Sequence, residues 1–338
     1  MIVGQSAIVG QDRAVRQFLD AWQTRRLHHA WLLAGPRGVG KASFARAAAR
    51  RVLADAAGPI AGEGLDVPDD HPISFLLAAR SHPDFRLLER LENPKTGNLS
   101  RNISVDQVRG LADLIGATPS LSDWRAVVID AADDLETSAA NALLKMLEEP
   151  PAKTIFFLVA HAPGKLLPTI RSRCRRLDFE RLDDDTMTSL LNQLIPNRNI
   201  PELMRLAAGS PGRALQSASL DLAPIEADAR IMMAEGDPDN ARRAKLAAAL
   251  SGKAQAERYA AFLELIPGLI AREARSADEP RRSRALDAYA RARDTVALAP
   301  RLSLDPAATA FELGGILASI AGAQSPGTRT TSRARQLP

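Results

Sequence analysis

The run LLAGPRGVGKASFARAA, Leu32 to Ala48, restricts the fold more than any other stretch of the chain. The apolar residues Ala30 to Ala34 predict a buried strand, Gly35 to Gly40 a glycine-rich turn, and Lys41 the start of an apolar helix. A strand, a GxxxxGK turn and a helix in this order make a phosphate-binding loop. Glycines let the backbone curl until several N–H groups face one concavity, and that concavity and the positive helix end both favour an anion. Gly35, Gly38, Gly40 and Lys41 are therefore the candidate phosphate ligands, with Lys41 supplying charge at the outer phosphates. The position after this lysine normally carries Ser or Thr, whose hydroxyl holds Mg²⁺. Here it is Ala42, and Ser43 is no substitute because one step along a helix turns a side chain by about 100°. A chance glycine-rich turn is the bland alternative, and the agreement of strand, loop and helix weighs against it.

Length and composition bound the rest. At 338 residues the chain should hold two or three domains. Aromatic residues make up only 4%, so the core must be mainly Leu, Ala, Ile and Val, which suits helices. No apolar run approaches the roughly 18 residues a membrane span needs, and the N-terminus lacks the pattern of a secretory leader, so a cytoplasmic protein is expected. A single cysteine, Cys174, excludes an intrachain disulfide and any multi-cysteine zinc site. Net charge is +4, of which Arg329, Arg333 and Arg335 in the last fifteen residues supply three, so net charge gives no ground for a general nucleic-acid affinity.

Along the chain, Val15, Phe18, Leu19 and Trp22 share one face of a helix over about 12–25. His28 and His29 then stand as polar punctuation before the first strand. The helix after the phosphate loop should reach about Ala54, with a Gly-, Pro- and Asp-rich loop over 56–70 and a short helix near 73–80. A strand is expected over 83–88 and a polar turn over 92–101. A helix over 104–117 should start on Ser104, with Gln107 at the capping-box spacing. Buried strands follow at 125–130 and 154–159, around a helix over 137–149 that Pro150 and Pro151 stop. A short helix over 168–173 and a strand over 175–179 complete a βα alternation, which implies a parallel sheet covered on both faces. Beyond Leu182 the pattern is helical, with candidate breaks at 236–238, 276–280 and Ala299-Pro300, and residues 324–338 read as a disordered tail.

Several side chains bear on chemistry. Asp130 ends its strand where the metal-associated acid of a nucleotide site belongs, but the water-activating position after it is Ala131. Alone, Asp130 would read as a strand terminator; with the phosphate loop it reads as a residual acid. Thr169 to Arg176 packs four arginines into eight residues, which repel unless an anion lies near. Taken alone this is a solvated basic turn; the other possibility is a guanidinium offered to the phosphate of a neighbouring molecule. Glu148 and Glu149 lie at a helix C-terminus, where the dipole disfavours anions, and the arginine cluster could offset them. Arg213, in a turn opening a helix, is either a further phosphate contact or an ordinary exposed arginine. Cys174 reads as a small buried residue.

GPRGVGKAS, VVIDAADDL, NALLKMLEEPP and TIRSRCRRL, in that order and spacing, resemble bacterial clamp-loader subunits of the AAA+ class, and HHAWLLAGP and SVDQVRGL strengthen the resemblance. It covers about residues 4–215 strongly and the rest by architecture. It implies an α/β RecA-like AAA+ domain over 1–180, a small helical lid over 181–220 and an all-α collar over 221–323 that joins a pentamer. It implies that Arg173 acts as an arginine finger on the ATP of an adjacent gamma/tau subunit, and that Arg213 matches the lid arginine called sensor 2. The usual sensor 1 threonine is replaced near Ala160-His161. Implied partners are the gamma/tau and delta subunits, the sliding clamp and, through the complex, primed DNA. The family's four zinc cysteines are missing between Arg51 and Asp84, so no zinc is expected. The losses at Ala42 and Ala131 point to a non-hydrolysing member that requires no cofactor yet retains weak ATP or ADP binding. The alternative is an active ATPase of the gamma/tau kind or a Holliday-junction helicase, which those two alanines oppose. A polymerase or nuclease proper would need carboxylates clustered for two metal ions, and none suitable stands outside 130–134.

Overall fold

The computed structural model describes residues 8–58, 60, 62, 64–92 and 99–322. The expected tail over 324–338, and the Asn93–Asn98 part of the expected polar turn, lie outside the described residues. The chain divides into two compact units, Met1–Asn197 with Ala207–Arg213, and Arg198–Leu206 with Ala214–Pro338.

In the first unit, five strands, β1 (Ala30–Ala34), β2 (Phe85–Glu89), β3 (Arg125–Asp130), β4 (Thr154–Ala160) and β5 (Arg175–Asp178), form one sheet in the order β2-β3-β4-β1-β5. Every pairing is parallel. Side chains alternate across a strand, and here both sets are buried. Trp31 and Leu33 of β1 join Val128, Phe157 and Val159 beneath α1 (Asp12–Gln23), α2 (Lys41–Ala57) and α3 (Pro72–Ala78). Ala30 and Leu32 point the other way, joining Val127, Ile129, Phe156 and Leu158 beneath α4 (Val105–Arg109), α5 (Leu111–Gly116), α6 (Thr137–Glu148) and α7 (Pro168–Ser172). Burial on both faces is why these strands read as continuous apolar runs. The result is a RecA-like AAA+ domain, as the motifs imply. Phe18 of α1 anchors the first core, its ring 5.4 Å from Trp31, 5.8 Å from Phe44 and 5.6 Å from Phe157. Three further helices follow along the chain: α8 (Asp184–Leu194) belongs to this unit, while α9 (Ile200–Ala207) and α10 (Pro211–Ser219) are divided between the two.

The second unit is helical: α11 (Ala223–Glu235), α12 (Ala241–Ala249), α13 (Ala256–Ser276), α14 (Arg281–Leu302) and α15 (Pro306–Ala318). Its core joins Phe262, Ile266 and Ile270 of α13 to Leu313, Ile316 and Leu317 of α15. Ala285, Ala288, Ala292 and Ala299 give α14 a small-residue buried face. Its buried carboxylates are paired: Glu226 takes Arg230 at 2.9 Å and Arg272 at 3.6 Å, and Asp237 takes the backbone N–H groups of Arg242 and Arg243.

Two boundaries differ from expectation. The helix expected over 104–117 is two short helices meeting at Gly110, one of the two glycines in the run and a weak helix former; the other, Gly116, closes the second helix. Ala299-Pro300 does not break α14, which continues to Leu302. Pro300 sits in the last turn, so the loss of its N–H and the clash of its ring are confined to the helix end.

Candidate phosphate site and arginine turn

The loop from Gly35 to Gly40 leaves the carboxyl end of β1, an interior strand between β4 and β5, and ligands of such sheets bind at the carboxyl ends of the strands. Gly38 and Gly40 have φ of +79° and +99°, a region closed to most side chains, so the curl that presents backbone N–H groups depends on glycine here. Lys41 is buried, and its Nζ donates to the Gly35 carbonyl at 2.7 Å and the Pro36 carbonyl at 2.5 Å. Burial pulls its pKa down to about 8, against the opposing charges of Asp133 and Asp130. The ammonium is thus stored against the loop's own carbonyls, close to the anion position it would serve.

The segment before and at the start of α10 closes on the same loop. Ser210 Oγ donates to the Arg37 carbonyl at 2.8 Å, and the Gly212 N–H donates to the Gly38 carbonyl at 2.8 Å. A Cβ on Gly38 would meet Ser210 Oγ at 2.4 Å and the Arg213 nitrogen at 3.1 Å. Gly38 is therefore required twice, by its φ and by this close approach. The turn places the Arg213 backbone beside the phosphate loop.

The carboxylates around the loop are all engaged. Asp130 ends β3 in register with Glu89 at the end of β2. Arg46 of α2 lies 3.6 Å from Asp130 and 3.8 Å from Glu89, and Arg80 lies 3.1 Å from Glu89. Burial raises the Asp130 pKa, with Arg46 the main influence opposing it. Asp133 accepts the backbone N–H groups of His161 at 3.0 Å and Ala162 at 2.9 Å, which ties the loop after β4 to the turn after β3. Asp134 pairs with Arg90 at 3.3 Å. His161 is held neutral, its pKa pushed down to about 4 by burial and by the Lys41 charge.

A magnesium ion, which phosphate loops of this kind ordinarily use, does not fit these donors. The partly buried Ala42 presents a methyl where a hydroxyl ligand belongs and packs against the core, while Asp130 already faces a guanidinium. Ala131 is buried and offers no carboxylate for water activation. Arg46 escaped the sequence reading. Its only signal was a basic residue on the helix following the loop, because its partners lie 43 and 84 positions away.

Arg173 is engaged elsewhere in this unit. It caps α7, donates to the Thr169 carbonyl at 3.1 Å and pairs with Glu148 Oε1 at 2.9 Å, its side chain 35% exposed. The pair joins the arginine turn to the C-terminal end of α6, so Glu148, disfavoured by its own helix dipole, meets a cation. Of its neighbours, Arg175 covers the Trp31 ring at 5.0 Å and Arg176 pairs with Asp178 at 2.7 Å. Cys174 is partly buried, and burial pushes its thiol up to about 12, which leaves it no nucleophile. His28 accepts from the Ala30 N–H at 3.2 Å and stacks on His29, a strand-entrance role.

Residues 10–183 match the family described as DNA polymerase III, delta subunit, slightly over half of the chain. A Pseudomonas aeruginosa DNA polymerase III subunit delta' is 37% identical over 188 residues, covering 54% of this chain and 53% of that protein. A Mycobacterium tuberculosis DNA polymerase III subunit gamma/tau is 34% identical over 211 residues, covering 60% of this chain and 34% of that protein. A solved Thermotoga maritima DNA polymerase III gamma subunit-related protein aligns over 90% of this chain and 99% of its own, with 17% identity and a TM-score of 0.42. The chain thus spans about half the length of the delta' relative and a third of the gamma/tau relative.

Proposed function

Since this chain belongs to the DNA polymerase III delta-subunit family of clamp-loader proteins, we propose that it is the delta-prime subunit of a clamp loader. In this reading it is a scaffold that does not hydrolyse ATP, works with the gamma/tau and delta subunits, and helps place the sliding clamp on primed DNA. The observation that carries the reading is a phosphate loop that keeps its curl and Lys41 while Ala42 replaces the metal-holding hydroxyl and Ala131 the water-activating acid. Hydrolysis needs the metal to neutralise developing charge and a group to orient the attacking water. Gly35, Gly38, Gly40, Lys41, Ala42, Asp130 and Arg213 then form a residual site that holds ATP or ADP weakly, with no zinc elsewhere.

The chain's active contribution is Arg173, delivered in trans to ATP bound on the adjacent gamma/tau subunit. A planar guanidinium can span two phosphoryl oxygens as charge develops on them. Glu148 holds this group in a fixed place before it meets a phosphate, which limits the entropy lost when it does. The implied lid over 181–220 and collar over 221–323 would orient it in the assembly. Rebuilding a loader from gamma/tau, delta and this chain tests the proposal. Clamp loading should depend on adding this chain. A loader that works equally well with gamma/tau in its place would favour the active-ATPase alternative.

A further inference from the structure

We propose that the phosphate loop accepts a nucleotide's phosphates without a divalent cation, with the Arg46 guanidinium standing at Asp130 in place of the metal. This rests on the reading that the loop retains phosphate binding, and it goes further by naming how the ligand is held: nucleoside di- or triphosphate with no requirement for a metal. Two strand-end carboxylates, Asp130 and Glu89, lie in register on neighbouring strands, an arrangement that would otherwise attract a divalent ion. Two guanidinium groups meet them, Arg46 against both and Arg80 against Glu89, so the pair retains no net charge to recruit one.

Among the described residues, the other acids at this end offer no alternative. Asp133 is used by two backbone N–H groups and Asp134 by Arg90. On the loop side, Ala42 has no oxygen to complete a coordination sphere, and a small divalent ion demands near-ideal oxygen geometry. Arginine remains charged at any working pH, so the substitution does not depend on conditions. What stays available to phosphate is the glycine backbone and the Lys41 ammonium, neither of which needs a metal.

The Arg46 side chain is 51% exposed, and pairs at such exposure contribute little to stability, so Arg46→Ala should fold. The test is calorimetric titration of the full chain with ADP and with ATP, each in EDTA and in excess Mg²⁺, together with Mn²⁺ titration read by electron paramagnetic resonance. Wild type should bind nucleotide equally in both buffers, within about twofold, and hold no Mn²⁺ at this site. Arg46→Ala should gain a Mg²⁺ preference of about fivefold or more, as expected for one uncompensated charge near the surface. It should also acquire a Mn²⁺ signal that Asp130→Asn abolishes, whereas Arg46→Lys, which keeps the charge, should resemble wild type. Wild-type binding that is about tenfold tighter with Mg²⁺, or a wild-type Mn²⁺ signal lost in Asp130→Asn, would overturn the inference alone. No binding in either buffer would overturn the retained-phosphate reading and the inference together.

Discussion

At the scale of single residues, two cations carry the functional reading by different means. Arg173 combines exposure with a fixed salt bridge, so its loss should leave the fold nearly intact. Arg173→Ala in a rebuilt loader should slow DNA-stimulated hydrolysis at the adjacent gamma/tau site by roughly a thousandfold, and Arg173→Lys should not fully restore it. Unchanged hydrolysis would return the cluster to a solvated basic turn. Lys41 is buried and poised near neutrality. Its pKa of about 8 without ligand must rise when a phosphate sits beside it. Phosphate affinity is then fully present below that pH and lost as pH rises through it. Titration with ADP should give binding about tenfold weaker at pH 9 than at pH 7, and Lys41→Met should remove the dependence.

At the scale of elements, local chemistry was legible where it repeats at short range. The capping box at α4 is formed: Ser104 Oγ accepts from the Gln107 N–H at 3.4 Å, and Gln107 Oε1 accepts from the Ser104 N–H at 3.1 Å. Gln107 Nε2 also donates to the Glu89 carbonyl at 2.9 Å, so the cap pins α4 to the end of β2. Ser104→Ala should cost about 1 kcal/mol in chemical denaturation, and Ser104→Asp much less. The strands were legible because burial on both faces leaves an apolar run with little to confuse it. The approach of Arg46 to Asp130 and of Ser210 to Arg37 was not, since these contacts join residues 84 and 173 positions apart and leave no periodic trace. Gly110 and Pro300 show the converse. Each residue's local preference was readable, but whether it ends a helix depended on position and packing.

At the scale of the whole molecule, the purified chain should show no ATP turnover approaching the ~1 s⁻¹ of working enzymes. The losses at Ala42 and Ala131 remove separate steps, so restoring either alone should not revive it. Steady turnover by a preparation free of other subunits would defeat this expectation. Motifs over 10–183 identified the family because their order and spacing follow the sheet's connectivity. The helical second unit carries no such signature; its paired Glu226 and Asp237 became apparent only once α11 to α15 were packed.

Cys174 has a practical consequence. It is the chain's one cysteine, and its thiol is pushed up to about 12. At neutral pH it should ignore maleimides, because the thiolate is the reacting species. The native sequence is therefore already a background for attaching optical or spin probes. Leu302→Cys, at a position 63% exposed, should take up one fluorophore per chain while the unaltered protein takes up almost none, a difference that intact-mass spectrometry reads directly. Distances within an assembled complex could then be followed from this chain without first rebuilding it.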